Sequence, residues 1–423
     1  MVGTHLVRVP YVTAWNLLPI SLNQDIYENG DMEGSTHFGF SLLAGGPVYR
    51  LTRLFPSVRG SRGWLVLGAF LALLTWGPLL ILSAAQGHLL RNVTIPFLAD
   101  VSAHARFLVA LPLLFAAEGW IDPRLAGFVR QILDSRLVLP AERPAFESAV
   151  SAVARLRDSW LVEAILVVIV AASAATINLD VNLTNNISSW MDVTIGAATV
   201  PTLAGWWYTA VALPIFRFLL LRWGWRIAIW SGFLWRLSRL HLQLIPTHPD
   251  LAGGLGYLGT AHKSFGVLSF AASVPIAGVF AEKMLFAGAS FKELEVPIFG
   301  IALISLLIFV APTLVFFPQL LAAKRQGLLE YGVFTAAYTR GFDAKWVRHG
   351  TSQERLLGTP DIQSLADQAN SFWIVQRMRV VPFGRGLIMV IVVATLAPML
   401  PLITLAFPID QLVERALRLL FGV

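Results

Sequence analysis

His241, His248, Asp250 and His262 stand close together in the chain and offer three imidazoles and a carboxylate. These are donor types that hold Zn²⁺ or another divalent ion. Their spacing follows no established ligand pattern, and Pro249 and the nearby glycines leave the geometry open. Cap and surface roles are the plainer reading, with His248-Pro249-Asp250 as a turn whose carboxylate bonds backbone N–H groups. The same stretch holds Gly254, Gly256 and Gly259 in the order G-x-G-x-x-G. In dinucleotide folds such glycines join a strand to a helix and let backbone amides cradle phosphate. Here Pro246 and an amphipathic stretch precede them, which favours a tight, bare-backbone loop packed on its neighbours.

A second set of reactive side chains lies inside or beside apolar stretches: Asp100, His104, Arg106, Glu118, Glu163, Arg217 and Glu282. Burying a charge in a bilayer is costly unless it is paired or used, so such residues are pathway candidates for protons, ions or small solutes. Asp100 and His104, four apart, share one helix face. The alternative for each is that it sits within a turn of an interface and reaches water. The chain has no cysteine, which removes disulfides, thiolate metal sites and Cys nucleophiles. It also lacks a Walker motif, an HExxH motif, a nucleophile elbow and a kinase signature. The acidic run Asp25, Glu28, Asp31 and Glu33 does not have EF-hand spacing. No cofactor is specified, and an enzyme is the least supported class.

The elements that must position these residues are membrane helices. Of 423 residues, 56% are apolar and only 13% charged, against about 25% charged in soluble domains. A disordered chain, a disulfide-stapled module and a conventional cytosolic enzyme are excluded. A span needs about 20 apolar residues. Six stretches qualify: Trp64–Ala85, Trp160–Asn178, Thr202–Leu221, Ser264–Phe286, Val296–Leu320 and Gly386–Phe407. A seventh, Val101–Gly119, is purely apolar only over Phe107–Ala117 and must recruit Asp100, His104 and Arg106 to cross. The expected fold is therefore an all-α, polytopic helical membrane protein with seven transmembrane helices. Prolines fall in six of the seven (Pro78, Pro112, Pro214, Pro275, Pro312, Pro398/Pro401), which suits kinked helices around a path.

Charge assigns the sides. With seven spans, 26 of the 32 Lys/Arg fall on one side, which is then cytoplasmic. The N-terminus is expected inside and the C-terminus outside. The net charge of +7 is explained by this orientation, and nucleic acid is not an expected partner. The triplets at Asn92, Asn182 and Asn186 all fall outside and carry no meaning in a bacterial protein. Residues 1–62 are a cytoplasmic segment without a cleavable leader, and 63–320 form the membrane domain. Within that domain, 222–244 is a Trp/Arg amphipathic helix lying in the interface and 245–263 is the Gly-rich loop. Residues 321–385 form a helical cytoplasmic cap, with a helix starting at Thr359-Pro360-Asp361 and running to about Met378. The last span is followed by an outer amphipathic helix, 408–423, for lipid or a neighbouring subunit of a homo-oligomer.

The stretch Leu356-Leu357-Gly358-Thr359-Pro360-Asp361-Ile362-Gln363-Ser364-Leu365-Ala366-Asp367 continues through Asn370-Ser371-Phe372 to Met378-Arg379-Val380-Val381-Pro382-Phe383. With Thr247-His248-Pro249-Asp250 and Ala252-Gly253-Gly254-Leu255-Gly256, it resembles a group of uncharacterised bacterial multi-pass membrane proteins. The resemblance covers the second half of the chain. It implies a bacterial inner membrane and carries no activity or site residue. Three functions follow as expectations: a channel or transporter for an ion or small solute, a non-transporting scaffold docking a partner through the cap, and a metal-dependent membrane enzyme.

Overall fold

The computed structural model describes residues 40–46, 49, 61–176, 189–195, 198–348 and 359–406. The acidic run at 25–33, Asn182, Asn186 and the 408–423 helix lie outside them. Ten helices and one short hairpin make up these residues. They are α1 (Ser61–Ala85), α2 (Val101–Asp134), α3 (Arg143–Arg157), α4 (Trp160–Thr176), β1 (Asp192–Ile195) and β2 (Ala198–Pro201). The chain continues through α5 (Leu203–Leu237), α6 (Gly256–Phe286), α7 (Phe291–Phe309), α8 (Ala311–Arg348), α9 (Pro360–Arg377) and α10 (Arg385–Ala406).

α1, α2, α5, α6 and α10 are long and apolar enough to cross a membrane, and α7 with α8 makes a sixth such unit if that bent pair is one span. α1 is apolar all round and leaves Leu65, Phe70, Leu73 and Ile81 exposed. α4 does the same with Val167 and Val168, and α7 with Val296, Phe299 and Leu307. A helix with no polar face needs lipid or protein on every side. α6 is the most enclosed span, 72% buried over its apolar window against 22% for α1, so it is the axis of the bundle. Close approach is built in at Gly278, where a Cβ would stand 2.6 Å from Ser102 Cα of α2.

The structure departs from the sequence reading at five places. The seventh span is part of the 34-residue α2, about 51 Å long. The helix continues past Gly119, where the expected span ends, because Ile121, Leu125, Phe128 and Ile132 recur at helical spacing and are buried. α5 runs unbroken from Leu203 to Leu237, so 222–244 is not a separate helix, and it ends in a loop from Ser238. Arg222 and Arg226, near the start of that expected interfacial helix, are buried. The span drawn at Val296–Leu320 crosses a 44° bend between α7 and α8. Pro312 causes it, since α8 opens with a 3₁₀ stretch, Ala311–Phe316. Residues 40–46, within the expected cytoplasmic segment 1–62, include buried Phe40, Leu42 and Leu43. The β1–β2 hairpin, paired from Asp192↔Pro201 to Ile195↔Ala198, was not expected.

The cap helix is found where Thr359-Pro360-Asp361 placed it, at Pro360–Arg377. It packs against α8 through Gln368 Nε2 on Thr335 Oγ1 at 2.9 Å and through Trp346 Nε1 on Asp361 Oδ2 at 2.9 Å.

Two prolines shape the helices near the sites. Pro112 follows a π-helical turn, Ala105–Ala110, in α2, and Pro214 follows another, Tyr208–Ala212, in α5. A proline ring clashes with the carbonyl four residues before it, here on Leu108 and Ala210. Widening that turn moves the carbonyl away, so each wide turn is the local answer to its proline.

Candidate functional site

Polar side chains gather at two places along α2. At its N-terminus, Asp100 is the cap: Oδ1 accepts from Ala103 N at 2.6 Å and Ser102 Oγ at 3.2 Å. Its Oδ2 accepts from Trp190 Nε1 at 2.8 Å. Glu282, from the far end of α6, accepts from Ser102 N at 2.7 Å. Two carboxyl groups thus share one helix terminus through adjacent amides. Asp100 is buried, and Glu282 is partly buried. Such a pair can hold a proton or a small cation between its oxygens.

The surrounding wall is aromatic. Trp76 Nε1 donates to His104 Nδ1 at 2.8 Å, and Phe97 meets both His104 and Trp190 edge-on, with centroids 5.1 and 5.0 Å apart. Trp190 is held by the start of α5, where Thr202 Oγ1 donates to its carbonyl at 2.7 Å. Arg106 donates to the Tyr208 hydroxyl. These two residues sit on the two proline-linked π turns, so the turns bring together a cation and a phenol from facing spans. Four predicted residues, Asp100, His104, Arg106 and Glu282, are therefore neighbours. Trp76, Trp190 and Tyr208 were missed because their chemistry depends on partners distant in sequence.

The second cluster lies about 18 Å further along α2, twelve residues on from Arg106. Glu118 Oε1 accepts from Arg222 Nη1 at 2.6 Å and lies 3.3 Å from Arg226 Nη1. Glu163 of α4 reaches Arg222 Nε at 3.8 Å. Asp122 binds residues 40–46: Ser41 Oγ at 2.6 Å, Leu42 N at 2.8 Å and Leu43 N at 3.1 Å. Arg226 Nη2 donates to Leu43 O at 3.1 Å, and Arg157 Nη1 to Ser41 O at 2.6 Å. Glu118 and Glu163, predicted separately, thus belong to one network, which also includes Asp122 and the 40–46 segment. Arg217 stands apart and ties α5 to α4 through Ser173 Oγ at 3.1 Å. Between the clusters, Phe107, Ala110, Leu111, Leu114 and Phe115 of α2 are buried and apolar.

The histidines of the loop region are divided among separate partners. His241 pairs with Glu142 at 2.6 Å, and this hydrogen bond holds the Glu142 carboxyl below its ordinary range. His262 is buried, accepting from Trp230 Nε1 at 2.9 Å while its Nδ1 donates to Phe309 O at 2.8 Å. Both nitrogens are thereby committed, in the neutral tautomer. His248 Nδ1 lies 2.9 Å from Asp250 Oδ1. Among the described residues no group of three or more His, Cys, Asp or Glu could hold a metal ion.

Nor is the Gly-rich loop a phosphate cradle. Asp250 Oδ1 accepts from Ala252 N at 2.7 Å and Gly254 N at 3.2 Å, and Oδ2 accepts from Gly256 N at 2.7 Å. The loop carries its own anion. Gly253 (φ +65°) and Gly254 (φ +99°) supply the left-handed backbone this needs. A Cβ at Gly259 would stand 2.8 Å from Pro382 O, so that glycine serves packing.

The chain matches no protein-family model, no curated protein and no solved structure.

Proposed function

We propose that this chain is a transport protein of the bacterial inner membrane that passes a proton or small cation, taken up between Asp100 and Glu282. The supporting observation is the meeting of two carboxyl groups from separate apolar helices on one helix terminus, beside His104 and an Arg106–Tyr208 pair mounted on π turns. Wide turns of this kind recur at functional sites. With seven spans, α4 among them, and the Lys/Arg-rich loops cytoplasmic, this cluster faces outward and the Glu118 network inward. The apolar stretch between them is then the barrier that must open during transport, in the manner of alternating access.

The test is ion and proton flux in proteoliposomes containing the purified protein, compared with Asp100→Asn and Glu282→Gln variants. At least a tenfold loss of flux in each is expected. Flux unchanged in both moves the path elsewhere; absence of any flux in the unaltered protein sinks the reading.

One observation favours a second reading, a non-transporting docking protein. The α8–α9 hairpin exposes Leu329, Val333 and Phe334, an apolar strip outside the main bundle. A single stoichiometric partner co-purifying with a flux-silent protein would support it.

A further inference from the structure

α3 and α5 lie side by side, and a groove runs between them. Its wider end, about 400 Å³, is lined by Ala149, Ala152, Arg155, Trp235, Arg236 and Arg239. No carboxylate lines it. Among the described residues, none of the three guanidinium groups forms an ion pair, and the one of Arg239 rests over the Trp235 ring, 5.0 Å from its centroid. The groove continues as a narrower stretch of about 110 Å³ along Val153, Leu156, Trp225, Ile229 and Gly232, and Arg236 lines both. Gly232 keeps this stretch open, since a Cβ there would meet nothing within 4 Å.

We infer that this groove binds an anionic glycerophospholipid, its phosphate at Arg155, Arg236 and Arg239 and an acyl chain along the apolar stretch. Three uncompensated guanidinium groups call for a multivalent oxyanion, and their planar forks match phosphate oxygens. An exposed Trp beside them adds an aromatic face at the mouth. From Arg236 back to Trp225, α5 rises about 16 Å toward its apolar Thr202–Leu221 half, so the groove leads from the basic mouth toward the spanning part of the helix. A soluble phosphate would use only the basic end. The apolar continuation, with a charged mouth and no polar lining beyond it, selects a phosphate that carries hydrocarbon.

The full-length protein in neutral detergent would be titrated with phosphatidylglycerol, phosphatidylcholine and inorganic phosphate. Bound lipid is counted by native mass spectrometry, and the thermal midpoint is followed in parallel. Phosphatidylglycerol is expected to be retained and to raise the midpoint, with phosphatidylcholine and phosphate doing neither. Each arginine near a headgroup contributes roughly a fivefold factor, so Arg236→Gln with Arg239→Gln should weaken retention by roughly twenty-fivefold. Arg143→Gln, on the same α3 but outside the groove, should leave it unchanged.

Gly232→Leu keeps every charge, fills open space and improves helix propensity, so it remains informative if the double variant does not fold. It should weaken phosphatidylglycerol retention as well. Equal retention of the two lipids, an undiminished response in Gly232→Leu, or full stabilisation by inorganic phosphate would overturn the inference.

Discussion

Asp250 illustrates how one side chain decides what a motif is. Its carboxylate takes up three backbone N–H groups that a phosphate would otherwise meet. Asp250→Ala should therefore lower stability by about 2 kcal/mol or more, because orphaned amides lose their acceptor. Added inorganic phosphate should restore part of the thermal midpoint in that variant and leave the unaltered protein unchanged; no difference between the two would refute the cradle-filling role. Glu118 makes the complementary case. Arg222→Ala leaves a buried carboxylate with Arg226 alone and should cost about 3–5 kcal/mol in denaturant unfolding. A loss under about 1 kcal/mol would mean water reaches Glu118. The turn-and-carboxylate role of Asp250 was legible from His248-Pro249-Asp250, because it needs only local neighbours. The Glu118–Arg222 pair was not, since its partners lie 104 residues apart and the arginine periodicity looked like a polar face.

Several helices were legible where a period or a proline marked them. The cap helix began at its Thr-Pro-Asp signal, and its first turn is tied to α8 through Asp361. Hydrogen bonds from Lys345 and Trp346 hold the Asp361 carboxyl below the usual carboxylate range. The folded value is the lower one, so this tie is fully present above the unfolded pKa, about 3.9, and is lost as pH falls through the folded value. Protection factors across α8–α9, corrected for the intrinsic pH dependence of amide exchange, should be the same at pH 8 and pH 5 and should fall only in stronger acid. A fall already between pH 7 and pH 5 would assign the hairpin's stability to another group. Extents were less legible than identities. α2 and α5 each outrun a bilayer's thickness, and a search for spans about 20 residues long cuts such helices at the membrane and reads the remainder as something else. The β1–β2 hairpin carried no strand signal strong enough to stand out beside the spans.

At the scale of the molecule, the apolar composition foretold a helical bundle with an apolar exterior, and the proposed sidedness rests on the distribution of Lys/Arg. The absence of cysteine makes that assignment easy to check. Single cysteines at Leu90 and Leu329, both well exposed, should react with a membrane-impermeant maleimide on intact spheroplasts only at Leu90. Labelling at Leu329 without permeabilisation would invert the topology and, with it, the direction in which Asp100 and Glu282 face. Which spans touch was beyond the sequence. α6 looks no more apolar than α10, yet it is the enclosed axis, because burial depends on which neighbours arrive.

The seat of residues 40–46 also sets an order of assembly. Their partners Asp122, Arg157 and Arg226 are made later, and Arg226 follows Leu43 by 183 residues. A chain entering the membrane from its N-terminus must leave this early segment unseated until α5 has emerged. Glu118 likewise enters before either arginine that neutralises it exists. A ribosome stalled before Arg222 would therefore hold α1 and α2 with their Glu118 end open, and an early piece of chain would later fold back onto helices synthesised after it.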